Sequence, residues 1–221
     1  MAEDEPSTPG HHDHDHDHPH DHAPPPDQDG AWSEWQYLET AVRELLLDKG
    51  ILTADEIRRQ IEAMDRRSPE QGARVVAKAW VDPAYRQRLL RDGTAAVREL
   101  GIEIEPVHLI VVENTEREHN LVVCTLCSCY PRLLLGLPPD WYKARAYRSR
   151  SVSEPRAVLA EFGTPIADNV AVRVHDSTAD MRYLVLPMRP AGTEGMGEAE
   201  LAALVTRDSM IGVTTVSPPK R

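Results

Sequence analysis

No stretch of this sequence approaches the roughly 18 consecutive apolar residues that a membrane span needs, so a membrane protein is not expected. The first residues, Met1-Ala-Glu-Asp-Glu-Pro6, lack the basic and apolar regions of a signal peptide, and the expected compartment is the cytoplasm. Lysine and arginine are missing altogether from residues 1–30. No basic face is evident elsewhere, which argues against a nucleic-acid binder. There are only three cysteines, all within residues 124–129. An odd, clustered set is a poor disulfide framework and points instead to metal or redox chemistry.

What is present is unevenly distributed. Residues 1–30 hold nine of the 36 acids, leaving 27 against 25 basic residues in a nearly neutral remainder. Residues 1–31, rich in His, Asp and Pro, are expected to form a disordered tail. Seven histidines fall within His11–His22, alternating with aspartate, a composition that suits a metal-loading tail or a non-catalytic metal carrier. The 221 residues are enough for one medium domain with an extension, or for two small ones.

Helical patterns fill residues 32–103. The first runs from Ser33 to Lys49, with Leu38, Val42, Leu45 and Leu46 on one face and Gly50 as a stop. The second opens with Thr53 and Glu56 at capping-box spacing and aligns Ile57, Ile61 and Met64. A third covers Glu70–Trp80. A fourth opens at Asp82-Pro83, places Leu89, Leu90, Val97 and Leu100 inward, and runs to Gly101. Short apolar runs then predict strands at Val107–Val112, Leu121–Val123, Val170–Val174 and Met181–Leu186, with Met210–Val213 as a last one. Helices are expected from Pro155 to Phe162 and over Glu198–Thr206. The expected class is α+β: a helical N-terminal arm (32–103), then a layered α-β-β-α core (104–213) bearing the cysteine loop, then a flexible end (214–221).

The loop is Val123-Cys124-Thr125-Leu126-Cys127-Ser128-Cys129-Tyr130-Pro131. A structural zinc site normally has four ligands, and His108, His119 and His175 show no ligand spacing to supply the fourth. Iron–sulfur clusters usually take four cysteines. Cys127-Ser128-Cys129 has another capability. The Cys129 sulfur and its own backbone nitrogen can chelate one ion, as can the Cys127 sulfur with the Ser128 nitrogen. Cys124 can take an axial position, leaving a sixth open. Deprotonated amides require a strongly polarising ion with thiolate support, such as Co(III) or Fe(III).

This segment resembles the metal claw of nitrile hydratase α subunits. Further segments resemble the family in its own order. They are Ala79–Pro83, Glu113–Thr115, Gly136–Lys143, Tyr147–Arg150, Arg182–Pro187, Arg189–Glu194 and Leu204–Gly212. The resemblance spans residues 38–213. It implies a hydration of nitriles to amides at a Co(III) centre, one ion per chain, with Fe(III) as the alternative. Thr125 and Tyr130 resemble cobalt-type members. The implied ligands are the sulfurs of Cys124, Cys127 and Cys129 and the backbone nitrogens of Ser128 and Cys129. Cys127 would mature to sulfinate and Cys129 to sulfenate. The metal would act as a Lewis acid on the nitrile, while the Cys129 oxygen attacks its carbon or activates a water. The resemblance also implies a β subunit completing the site and an activator protein delivering the metal. Asp176, Asp180 and Arg182 fall in a stretch whose side chains support the site in the family; a surface ion pair is the equal alternative.

Four positions depart from the family pattern: Arg132 and His175 stand where Trp is usual, Asp180 where Glu is, and Glu105 where many members have Gln. Drift at packing positions is one reading. The other is a pocket reshaped for a polar or bulky nitrile, a nucleoside nitrile among them. The metal-binding subunit of thiocyanate hydrolase shares the claw and is the nearest rival; Tyr130-Pro131 favours nitrile hydratase.

Overall fold

The structure, a computed structural model, describes residues 32–218. The expected tail 1–31 and residues 219–221 lie outside these. Among the described residues, those up to Leu52 form one compact unit and those from Thr53 onward a second.

The first unit is built on helix α1, Glu34–Asp48. Its start follows from local chemistry: Ser33 Oγ accepts from the Gln36 N–H at 3.4 Å, and Gln36 Oε1 accepts from the Ser33 N–H at 2.7 Å. The expected apolar face forms, yet α1 buries none of its residues.

The second unit opens with α2, Ala54–Asp65, entered through the capping box that Thr53 and Glu56 predict. Helix α3, Pro69–Val81, starts on a proline at its first turn. Its small side chains let it sit deep: Gly72, Ala73, Val75, Val76, Ala77 and Ala79 are buried. Each buried valine contributes roughly 1.5–3 kcal/mol. Helix α4, Pro83–Arg91, is capped by Asp82, whose Oδ1 accepts from the Tyr85 N–H at 2.9 Å.

The expected single helix from Asp82 to Gly101 is in fact two. The chain breaks at Asp92, which adopts extended backbone and caps α5, Gly93–Arg98, by accepting from the Ala95 N–H at 2.9 Å. The break brings Gly93 against strand β1, His108–Glu113, where a side-chain carbon would stand 2.6 Å from the Leu109 carbonyl oxygen.

Strand β2, Glu118–Val123, leads into the cysteine loop. Helices α6 (Arg132–Leu135), α7 (Asp140–Lys143), α8 (Arg145–Ser153) and α9 (Pro155–Glu161) follow. Strands β3 (Ala171–Asp176) and β4 (Met181–Leu186) then precede α10, Glu198–Ala202. The expected last strand over Met210–Val213 is instead helix α11, Arg207–Ile211. Thr206 and Ser209 cap its start reciprocally at 3.2 Å, a local preference the apolar run conceals. Gly212 ends it at φ +88°, pressed so close to the Asn120 carbonyl that any side chain would collide.

The strands form two parallel pairs, β1 with β4 and β2 with β3. Parallel pairing requires long crossovers, and α6–α9 supply the one between β2 and β3. Register then fixes the site, because Val123 stands opposite Asp176. The strands and α3, α4, α9 and α11 enclose one apolar core that includes Val76, Leu89, Leu121, Leu159, Leu184 and Met210. The mixed helix-and-strand class is the one expected.

Candidate metal centre

The cysteine loop is held by its backbone. At its root, the Val123 carbonyl accepts from the Ser177 N–H at 2.8 Å, and the buried Tyr147 hydroxyl donates to the Val122 carbonyl at 2.6 Å. Asp176, placed opposite Val123 by the strand register, accepts from the Thr125 N–H at 2.9 Å and the Thr125 hydroxyl at 2.5 Å. The Arg148 guanidinium donates to the Cys127 carbonyl at 2.8 Å and the Thr125 carbonyl at 3.5 Å. The Tyr142 hydroxyl donates to the Cys129 carbonyl at 2.8 Å. Arg182 Nε donates to the Tyr130 carbonyl at 3.2 Å. Charge-assisted bonds of this kind are about twice as strong as neutral ones, so Arg148 and Arg182 are effective clamps.

With those carbonyls secured, the three sulfurs converge. Cys127 Sγ lies 3.4 Å from Cys124 Sγ and 3.1 Å from Cys129 Sγ, and all three fall within 4.8 Å of one another. These separations far exceed a disulfide bond of about 2.05 Å. Cys124 is buried, Cys129 half-buried and Cys127 exposed. Hydrogen bonds from Cys129 and then Cys124 hold the Cys127 thiol down to about 7. Burial, followed by the hydrogen bond with Cys127, pushes Cys129 up to about 12. One thiolate therefore forms readily, and a cation would be needed to draw the proton from Cys129.

The donor set fits a soft, polarising ion. Among the described residues no fourth His, Cys, Asp or Glu joins the cluster, so side chains alone cannot complete a four-ligand site. Among the described residues the N–H groups of Ser128 and Cys129 donate to no backbone carbonyl, and both help hold the Cys127 thiol down. They are free to contribute nitrogen.

Beside the cluster lies a cavity of about 450 Å³, lined by Cys127, Ser128 and Cys129 on one side and by Glu105, Arg132 and Arg182 among others. Two of the four unusual positions thus face it. The other two do not. His175 Nε2 lies 2.8 Å from Asn120 Oδ1, with its ring against Tyr183, and burial lowers its pKa. Asp180 has an exposed side chain, and its carbonyl accepts from the His108 N–H at 2.7 Å.

The structure brings Cys124, Cys127, Ser128 and Cys129 together in one loop and places Asp176 and Arg182 against that loop. Neither Asp176 nor Arg182 makes an ion pair among the described residues. Tyr142, Tyr147 and Arg148 were given no role by the sequence, although each sits in a segment that resembles the family. Their contribution is made through backbone carbonyls, which no spacing in the sequence reveals.

A family model described as "Nitrile hydratase, alpha chain" matches residues 33–214. The chain is 51% identical over 183 residues to the low-molecular weight cobalt-containing nitrile hydratase subunit alpha of Rhodococcus rhodochrous, covering 82% of this chain and 88% of that protein. It is 43% identical over 198 residues to the thiocyanate hydrolase subunit gamma of Thiobacillus thioparus, covering 84% and 82% respectively. Among solved structures, a recombinant thiocyanate hydrolase with partially modified cobalt centres matches with a TM-score of 0.80 and 41% identity, over 86% of this chain and 96% of the other.

Proposed function

The chain belongs to the nitrile hydratase α-chain family, and on that premise we propose that it is the metal-holding subunit of a cobalt-containing nitrile hydratase. The observation that carries this reading is the convergence of three sulfurs within 4.8 Å on a loop whose carbonyls are tied down. Cys124, Cys127 and Cys129 would hold the ion through sulfur, and Ser128 and Cys129 through backbone nitrogen. The ion is Co(III), with Fe(III) the alternative for the same donors. When bound, it would supply Lewis-acid activation of a nitrile and support oxidation of two of the sulfurs by dioxygen.

The chain's own residues do the rest. Cys129, as a sulfenate, presents its oxygen to the nitrile carbon or takes a proton from an attacking water. Cys127 matures to sulfinate, and buried Cys124 remains a thiolate. Arg182 fixes the carbonyl that follows Cys129, and its positive charge favours an anionic sulfur there. Asp176 holds the loop through Thr125. Both act by positioning the sulfurs.

Residues 104–213 are read as the catalytic core and 32–103 as the arm. A β subunit completes the site, an activator protein loads the metal, and the compartment is the cytoplasm. Among the described residues no helix is long and apolar enough to cross a membrane. Higher identity to the nitrile hydratase subunit than to the thiocyanate hydrolase subunit, 51% against 43%, favours nitriles as substrates.

The test is co-expression with a β subunit and activator in cobalt-supplemented medium. The complex is expected to hydrate simple nitriles, and mass spectrometry of the Cys124–Cys129 peptide to find two added oxygens on Cys127 and one on Cys129. A complex that carries cobalt yet turns over thiocyanate and no nitrile would overturn the reading.

A further inference from the structure

We propose that Arg132 makes the cavity selective for an organic nitrile carrying a negative charge at its far end, such as an ω-cyano carboxylate. The proposal rests on the nitrile hydratase reading of the same site. Its ground is the charge balance of the cavity wall. Arg132 opens α6, three residues after Cys129, and its backbone N–H is tied to the Tyr130 carbonyl at 2.7 Å. Its side chain is exposed and makes no hydrogen bond or ion pair among the described residues. Arg182 uses Nε and Nη1 on backbone carbonyls, and its Nη2 has no partner among the described residues. The cavity's acid, Glu105, pairs with the guanidinium of Arg98, which also reaches Glu103. Two guanidiniums against one carboxylate line the cavity and leave its wall net positive.

The remaining lining includes Ile104, Val107, Leu109 and Leu133. An apolar wall with a few placed polar groups fixes a ligand's orientation. Here the nitrile end would lie at the cysteines, an aliphatic linker along the apolar side, and the carboxylate at the guanidinium of Arg132, which can accept it through two parallel bonds. The volume of about 450 Å³ in this chain falls among pockets that hold organic ligands of many atoms.

The test uses the cobalt-loaded complex with its β subunit. Cyanobutanoate is compared with cyanobutanamide, which replaces the carboxylate by a neutral group of the same shape. The parent should prefer the acid by about tenfold in kcat/KM, in line with a hydrogen bond to a charged group. Arg132→Gln should lose that preference through the KM of the acid, the acid-to-amide ratio in kcat/KM falling to about one. Arg132→Lys should recover most of it, with a stronger salt dependence. Calorimetry provides a reading independent of turnover: the ω-carbamoyl carboxylate product should bind about tenfold more weakly to Arg132→Gln than to the parent. If nitriles are not hydrated but this difference persists, charge recognition stands and the nitrile reading falls. Equal losses for acid and amide, or unchanged calorimetric affinity, would overturn the proposal. Arg132-dependent turnover of thiocyanate with cyanobutanoate left untouched would overturn the assignment of an organic anion.

Discussion

The two sides of the site are built on opposite principles. On the loop side, side chains spend their hydrogen bonds on backbone: Tyr142, Arg148, Arg182 and Asp176 hold Cys129, Cys127, Tyr130 and Thr125. On the cavity side, Arg132 is unpartnered among the described residues and Glu105 is held only at the surface by Arg98. The first arrangement leaves one geometry for the sulfurs. The second leaves charge available to a ligand. On the proposed reading, the loop side governs the metal and the reaction, and the cavity side governs which molecule is accepted. Two of the departures from the family pattern fall on the cavity side and none in the loop between Cys124 and Cys129.

Changes to the sulfurs should break this contrast most severely. Cys124→Ser removes a buried donor, and cobalt affinity should fall by more than about 100-fold, since even residues outside the ligand set commonly cost 10–100-fold. Retained cobalt per chain after dialysis against a chelator measures it. Cys129→Ser should lose both retention and turnover per bound cobalt, because serine cannot become a sulfenate.

Next come the clamps. Tyr142→Phe frees the Cys129 carbonyl, and Asp176→Ala removes both bonds to Thr125. Each should weaken cobalt retention by about tenfold while leaving the fold intact. If retention by Asp176→Ala equals that of the parent, the aspartate does not position the loop.

Tyr147→Phe tests the root of the loop with a smaller expected effect. It removes the bond to the Val122 carbonyl and leaves a buried acceptor unpaired, at a cost of about 1–3 kcal/mol. A calorimetric scan should show Tm lowered by several degrees. The smallest change should come from Arg132→Gln, with stability within about 0.5 kcal/mol of the parent and the same cobalt content. A large effect on either would mean that the cavity side also supports the fold, and the contrast would fail.

Sequence patterns carried much of this architecture. The capping signals at Thr53 and Asp82 act as expected because capping is local chemistry between residues three apart. The cysteine loop was legible because three ligating residues, all cysteine, fall within six positions. Three features were not legible. The break at Asp92-Gly93 depends on contact with β1, remote in sequence. Helix α8 buries only Tyr147 and Ser151, so it has almost no apolar period. In α11, Met210 and Ile211 are both fully buried, and a short run buried all round has no period to separate helix from strand. The clamps on the loop escaped notice for another reason. They act on carbonyl groups, which every residue possesses, and only the fold shows which carbonyl each side chain meets.

X-ray absorption at the metal edges of the co-expressed complex, combined with metal analysis, tests most directly whether this loop holds one cobalt through sulfur and backbone nitrogen together. About one cobalt per chain is expected, with both sulfur and nitrogen in its coordination shell. Stoichiometric zinc in a tetrahedral site, with no nitrogen from the Ser128–Cys129 backbone, would contradict it.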